Sequence, residues 1–173
     1  TGVQTCALPI YNGDTLAEAM RYLTLREAWA FEPDPANFPL LAERARSLSA
    51  PVTCLPCGVS SVNASLSFSG GHGEASTLGG EGNSHIQVLR LDDCLPNARV
   101  DYLKLDVEGH ELEALAGAEA LIRRNRPILA IAGYHCRDDL WRIPAWITRL
   151  GLDYRLRFRI HAHNSFEAVF YAY

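Results

Sequence analysis

Nowhere in the 173 residues do eighteen apolar residues follow one another, and no charged stretch leads into an apolar run near residue 1. Neither a membrane span nor a secretory signal is therefore expected. Cysteine is sparse and irregular. Cys6, Cys54, Cys57, Cys94 and Cys136 make an odd count without the close spacing of a small disulfide scaffold, which points to a reducing, cytoplasmic compartment. Cys54-Leu55-Pro56-Cys57 has no second pair to complete a zinc site, and its apolar surroundings read as strand. Clustered basic charge is also missing. Sixteen Lys and Arg against 20 Asp and Glu give a net charge of −4, with the arginines dispersed, so no nucleic-acid footprint is visible. There is no G-x-G-x-x-G turn, which a nicotinamide-dependent oxidoreductase would want.

What is present is the composition of one soluble globular domain, 48% hydrophobic and 21% charged. Residues 1–10 show neither helical nor strand periodicity. They resemble translated sequencing adapter, so they are expected to be a foreign leader and residues 11–173 the domain. From Asp14 a helix is predicted on Leu16, Ala19, Met20 and Leu23. A short strand at 28–31 is closed by Glu32-Pro33-Asp34-Pro35, and a helix at 37–48 follows. Residues 52–59 and 64–68 read as strands. The stretch 70–84 holds six glycines without phosphate-loop spacing, so a surface loop is expected. Strands are predicted at 86–91 and 102–107, a helix at 111–124, and a strand covered on both faces at 127–132. A helix at 139–150, interrupted near Pro144, leads to a terminal antiparallel hairpin of 154–160 and 168–172. The βαβα order argues for an open, mostly parallel α/β sheet whose ligand site lies outside the carboxyl ends of the strands.

Three polar turns fall on that edge. Glu32 follows a strand where a carboxylate can accept hydrogen bonds from the two hydroxyls of a ribose; a solvated turn residue is the alternative. Asp106-Val107-Glu108-Gly109-His110-Glu111 packs three carboxylates and an imidazole into six residues, more than a helix cap needs. Tyr134-His135 follows the strand at 127–132. A lone histidine at a strand end is more often structural, and it gains weight here by sharing the edge.

The stretch Asp101-Tyr102-Leu103-Lys104-Leu105-Asp106-Val107-Glu108-Gly109-His110-Glu111-Leu112-Glu113-Ala114-Leu115, with Gly117-Ala118 and Arg126-Pro127, resembles the signature of FkbM-type methyltransferases. So do 31–38 around Glu32, Leu91-Asp92-Asp93, Tyr134-His135 and Asp138-Asp139-Leu140-Trp141-Arg142-Ile143-Pro144, and the likeness runs from about Tyr11 to Tyr173. The resemblance implies a Rossmann-like class I fold, S-adenosylmethionine as methyl donor, and a small-molecule acceptor, usually a hydroxyl of a sugar or other metabolite. By position, Glu32 would hold the cofactor ribose, and Asp106 and Glu108 would border cofactor and acceptor. The family opens with an Asp-x-Gly-Ala-x-x-Gly loop after its first strand. Here only the tail, Tyr11-Asn12-Gly13-Asp14-Thr15, survives, so the first strand is expected to be missing. Gly13 and the backbone of Asn12 and Asp14 remain candidates for the methionine end of the cofactor. Methyl transfer needs alignment and a route for the hydroxyl proton but requires no metal. Asp106, Glu108 and His135 are the candidates for the base, with His135 favoured because a free imidazole titrates near neutrality. A non-catalytic domain or inert fragment is the rival reading.

Overall fold

The computed structural model describes residues 3–8, 14–22, 24–69, 77–78, 84–161 and 167–173. Two sheets share the molecule. The larger has seven strands in the order β10-β11-β9-β8-β1-β2-β3. Its left half is β1 (Val3–Leu8), β2 (Leu25–Phe31) and β3 (Val52–Leu55), connected through α1 (Asp14–Tyr22) and α2 (Phe38–Ala45). Its right half is β8 (Tyr102–Leu105), β9 (Ile128–Ala132), β10 (Leu156–Ile160) and β11 (Ala168–Ala172). β3, β2, β1, β8 and β9 run parallel, whereas β11 is antiparallel to β9 and to β10. The expected α/β fold with a closing hairpin is the one observed.

One expectation is reversed: the first strand is present. Val3–Leu8 forms β1, paired in parallel with β2 on one side and with β8 on the other. Residues 3–8 are therefore part of the sheet. The segment escaped the sequence reading because an interior strand of a parallel sheet need show no alternation of apolar and polar residues. It is held by ladders on both edges.

Side-chain alternation splits the core in two. Phe31 of β2, Leu103 and Leu105 of β8, and Leu129 and Ile131 of β9 lie fully buried in one cluster. That cluster also takes in α3 (Leu91–Cys94), α4 (Glu111–Gly117), α5 (Glu119–Asn125) and α6 (Asp139–Arg149). The opposite parity, Ala28 and Ala30, packs with Leu16 of α1 and Leu41 of α2. Period-2 strands thus serve two helical layers.

Three details depart from the sequence reading. Residues 52–59 do not form one strand, since β3 ends at Leu55 and β4 (Gly58–Val59) joins a second sheet, β4-β7-β5-β6. That sheet contains β5 (Ala64–Ser69), β6 (Thr77–Leu78) and β7 (Ser84–Leu89); the glycines of the 70–84 stretch fall outside the described residues. The helix predicted at 111–124 breaks at Ala118 into α4 and α5. The break has a cause: the Asp92 carboxylate accepts the N–H groups of Ala120 and Leu121 at 3.1 and 2.8 Å, capping α5 from a distant turn. Finally, α6 runs through Pro144 without interruption.

Candidate active site

The strand register fixes one level across the sheet. Ala7 pairs with Ala30, Leu8 with Leu105, and Leu105 with Ile131, so Phe31, Leu8, Leu105 and Ile131 lie side by side at the carboxyl edge. The next residues are Glu32 after β2 and Asp106 after β8. They stand two strand spacings apart, about 10 Å. His135 follows β9 four residues beyond Ile131. Glu32, the 106–111 turn and His135 therefore share one rim. Asn12 and Gly13 lie outside the described residues; Asp14 is the first residue of α1.

Glu32 is buried at 4% exposure. Its backbone N–H continues the ladder to the Leu55 carbonyl at 3.1 Å, and its Oε1 accepts the N–H of Asp34 at 2.8 Å. Asp34 in turn accepts the Ala36 N–H on Oδ1 at 2.8 Å, while its carbonyl takes the N–H groups of Asn37 and Phe38. The turn between Pro33 and Pro35 is thus satisfied from within and delivers the chain into α2 with the Glu32 carboxylate fixed at the strand end.

The second turn is tighter. Glu108 and Gly109 both take positive φ, 52° and 93°, a conformation that glycine adopts without penalty. This reverses the chain so that α4 starts at Glu111, whose side chain has no exposed surface. Its Oε1 accepts the Val107 N–H at 2.9 Å and meets His135 Nδ1 at 2.8 Å. The other ring nitrogen, Nε2, faces Glu108 Oε2 at 3.3 Å and Asp106 Oδ1 at 3.6 Å. Asp106 also receives the Lys104 ammonium on Oδ2 at 2.8 Å and the Tyr134 hydroxyl on Oδ1 at 3.1 Å. The Tyr134 and His135 rings touch, with centroids 4.1 Å apart.

Electrostatics follow from this crowding. Burial opposes a charge on His135, but the Glu111 hydrogen bond and the charges of Glu111, Glu108 and Asp106 outweigh it, so the imidazole keeps its proton above the usual histidine range. Burial and the adjacent Asp106 push the Tyr134 phenol far up, which keeps it a donor. Among the described residues, His135 Nε2 and Glu111 Oε2 are buried side-chain atoms without a hydrogen-bond partner.

The structure therefore brings Asp106, Glu108 and His135 into direct contact and sets Glu32 on the same rim. Three partners were missed as individuals: Glu111 as the group that orients His135, and Tyr134 and Lys104 on Asp106. Spacing offered a partial signal, because Lys104 and Asp106 are two apart on one face of an extended segment.

The sequence matches the model of the methyltransferase FkbM domain over residues 10–156. The chain belongs to the FkbM methyltransferase family. The matched span begins after β1. Against the crystal structure of methyltransferase FkbM from Methylobacillus flagellatus KT the TM-score is 0.85 at 24% identity, covering 99% of this chain and 44% of that one. Precorrin-6y C5,15-methyltransferase from Geobacter metallireducens GS-15 gives 0.60 at 12% identity, covering 99% and 80%. At these identities the likeness is one of fold, and it establishes the Rossmann-like architecture. The hexuronic acid methyltransferase AglP of Haloferax volcanii is 34% identical over 103 residues, 54% of this chain and 42% of that protein. This FkbM chain thus spans less than half the length of AglP and of the Methylobacillus protein. No helix among the described residues is long and apolar enough to cross a membrane.

Proposed function

We propose that this FkbM domain binds S-adenosylmethionine at the carboxyl rim of its sheet and methylates a hydroxyl oxygen of a sugar or other small metabolite. The reading is carried by one observation, the register that sets Glu32 and the Asp106–Glu108–His135 group on a common edge. Its support from relatives is the family itself and the hexuronic acid methyltransferase among them.

Roles follow from placement. Glu32, fixed at the end of β2 with Oε1 accepting the Asp34 N–H, offers a carboxylate at the rim to the two ribose hydroxyls. The backbone of Asn12 and Gly13, which precede α1 in the sequence, and of Asp14 at its first residue is assigned to the methionine end. When bound, S-adenosylmethionine supplies a sulfonium methyl whose sulfur leaves as a neutral thioether. Asp106 borders both ligands. The carboxylates of Asp106 and Glu108, with His135 between them, hold the acceptor hydroxyl and take its proton as its oxygen becomes nucleophilic.

The test is transfer of labelled methyl from S-adenosylmethionine to hexoses and hexuronic acids, with thermal melting alongside. Cofactor should raise the melting temperature, since a ligand that binds only the folded state stabilises it. His135→Ala should lower turnover by about 100-fold or more while that rise persists. Turnover unchanged by His135→Ala would remove His135 from the site, and no rise with cofactor would reject the binding assignment.

A further inference from the structure

We propose that His135 is a fixed hydrogen-bond donor rather than the base, and that with Glu108 it recognises a vicinal diol, one hydroxyl of which Glu108 deprotonates as it is methylated. The inference deepens the methyl-transfer reading and rests on it for the chemistry; the donor–acceptor pair rests on the geometry of the cluster alone.

The ring is bounded by acceptors. Glu111 Oε1 lies on Nδ1 at 2.8 Å. Nε2, on the far side of the ring, has Glu108 Oε2 at 3.3 Å and Asp106 Oδ1 at 3.6 Å. An ionised carboxylate only accepts, so the nitrogen between Glu108 and Asp106 carries a hydrogen; a bare Nε2 would aim its lone pair at theirs. The same crowding holds the proton on the ring above the usual histidine range. A nitrogen that carries hydrogen has no lone pair with which to take a proton from the acceptor. Yet this hydrogen is unused. Nε2 is buried, on a side chain only 10% exposed, and has no hydrogen-bond partner among the described residues. Buried polar atoms are nearly always paired, so the unused donor marks the place of a ligand oxygen.

The acceptor beside it is Glu108. Asp106 already receives the Lys104 ammonium on Oδ2 and the Tyr134 hydroxyl on Oδ1, and Glu111 has no exposed surface. The Glu108 side chain is 29% exposed. Its backbone takes φ 52°, a conformation that a turn chosen for shape alone would give to glycine or asparagine, and such strained positions cluster at functional sites. Oε2 and Nε2 thus offer an acceptor and a donor side by side, 3.3 Å apart. Two gauche hydroxyl oxygens on adjacent carbons stand about 2.9 Å apart, and each hydroxyl both donates and accepts. One hydroxyl gives its hydrogen to Glu108 while its neighbour accepts from Nε2–H. A carboxylate or phosphate in that place would face Glu108 and Asp106, so the group recognised is uncharged. As the first oxygen bonds the methyl carbon, the carbon–sulfur bond breaks with its electron pair left on sulfur, and the hydroxyl proton passes to Glu108.

Nitrogen-15 NMR of the histidine-labelled parent chain reads the donor without any acceptor present. At about pH 7 to 8 Nε2 of His135, assigned by its loss in His135→Gln or its shift in Glu108→Gln, should carry hydrogen; a bare Nε2 would overturn the proposal. Methyl transfer reads the diol. kcat/KM for a hexose or hexuronic acid acceptor should exceed that for its deoxy analogue lacking the neighbouring hydroxyl by about 10- to 100-fold. His135→Ala should shrink that ratio to about threefold or less while S-adenosylmethionine still raises the melting temperature. A ratio near one in the parent, or one that His135→Ala leaves intact, would overturn the proposal. Where His135→Ala does not fold, Glu108→Gln, on a partly exposed side chain, serves: kcat should fall by about 100-fold, and an unchanged kcat would remove Glu108 as the proton acceptor. Failure of S-adenosylmethionine to bind the parent would instead reject the methyl-transfer reading, and the NMR spectrum would still decide the donor.

Discussion

Gly117→Ala isolates the packing of the C-terminal end of α4 against the backbone at Ser60. A Cβ at 117 would fall 1.9 Å from the carbonyl oxygen of Ser60 and 2.9 Å from its carbon. Ordinary contact begins at 3.4 Å, so α4 or the strand end at Ser60 must retreat by about 1.5 Å, the difference between the two. Both atoms belong to backbone, and no rotamer change relieves them. Helix propensity argues the other way, favouring Ala over Gly by about 1 kcal/mol. Overpacking costs about 1–3 kcal/mol or more, and the depth of this overlap places it at the upper end. The net expectation is destabilisation by about 1–2 kcal/mol. At about 2–4 °C per kcal/mol for a domain of this size, the melting temperature should fall by roughly 2–8 °C. Gly151→Ala is the comparison: φ is +64° and nothing lies within 4 Å, so only the left-handed backbone penalises it, by about 1 kcal/mol. Calorimetry on both variants measures the two effects separately. A Gly117→Ala protein that melts at or above the parent would refute the contact between α4 and the second sheet.

Two further expectations concern acids that the site does not use. Asp92→Ala strips the cap from α5 and should cost about 1–2 kcal/mol in urea denaturation, while Asp92→Asn, which keeps one acceptor, should cost less. Asp139 is buried at 3% exposure, and burial raises its pKa, as do nearby charges such as Glu111, against the Cys136 N–H hydrogen bond that lowers it. A carboxyl raised on folding binds its proton more readily in the folded state, so its contribution to stability falls as pH climbs from the unfolded value through the folded one. Asp139→Asn lacks that loss. The stability of Asp139→Asn relative to the parent should therefore grow across that window and stay constant above it, measured as melting temperature against pH; a difference that does not change with pH would contradict the burial argument.

The right half of the sheet was legible because its signals were local. Leu103 and Leu105 alternate with polar neighbours, the 127–132 run is short and apolar, and Gly109 marks the strand-to-helix turn. The shared placement of the candidate residues was legible for the same reason, since Asp106, Glu108 and His135 each follow a strand of a parallel sheet, where topology alone selects the edge. What sequence did not show was every feature fixed by distant partners. β1 exists through its two neighbours rather than through its own pattern. The α4–α5 break depends on Asp92, 28 residues before Ala120, and on the approach of Ser60 to Gly117. Glu111 looks like a first-turn acid with a favourable dipole contact; only the fold reveals that it is fully buried and holds His135. The second sheet was hidden because residues 52–59 carry one continuous strand pattern although the backbone changes sheet after Leu55.

The central claim, that Glu32 and the Asp106–His135 cluster surround space for an adenosyl ligand, is tested most directly by calorimetric titration of S-adenosylmethionine into the parent chain and into Glu32→Ala. Two charge-assisted hydrogen bonds to the ribose hydroxyls are at stake, each about 1.5–3 kcal/mol, of which water recovers part in the free state. The account predicts binding to the parent and a loss of affinity of about 10- to 100-fold in Glu32→Ala, with the fold intact by circular dichroism. Equal affinity in the two proteins would contradict it.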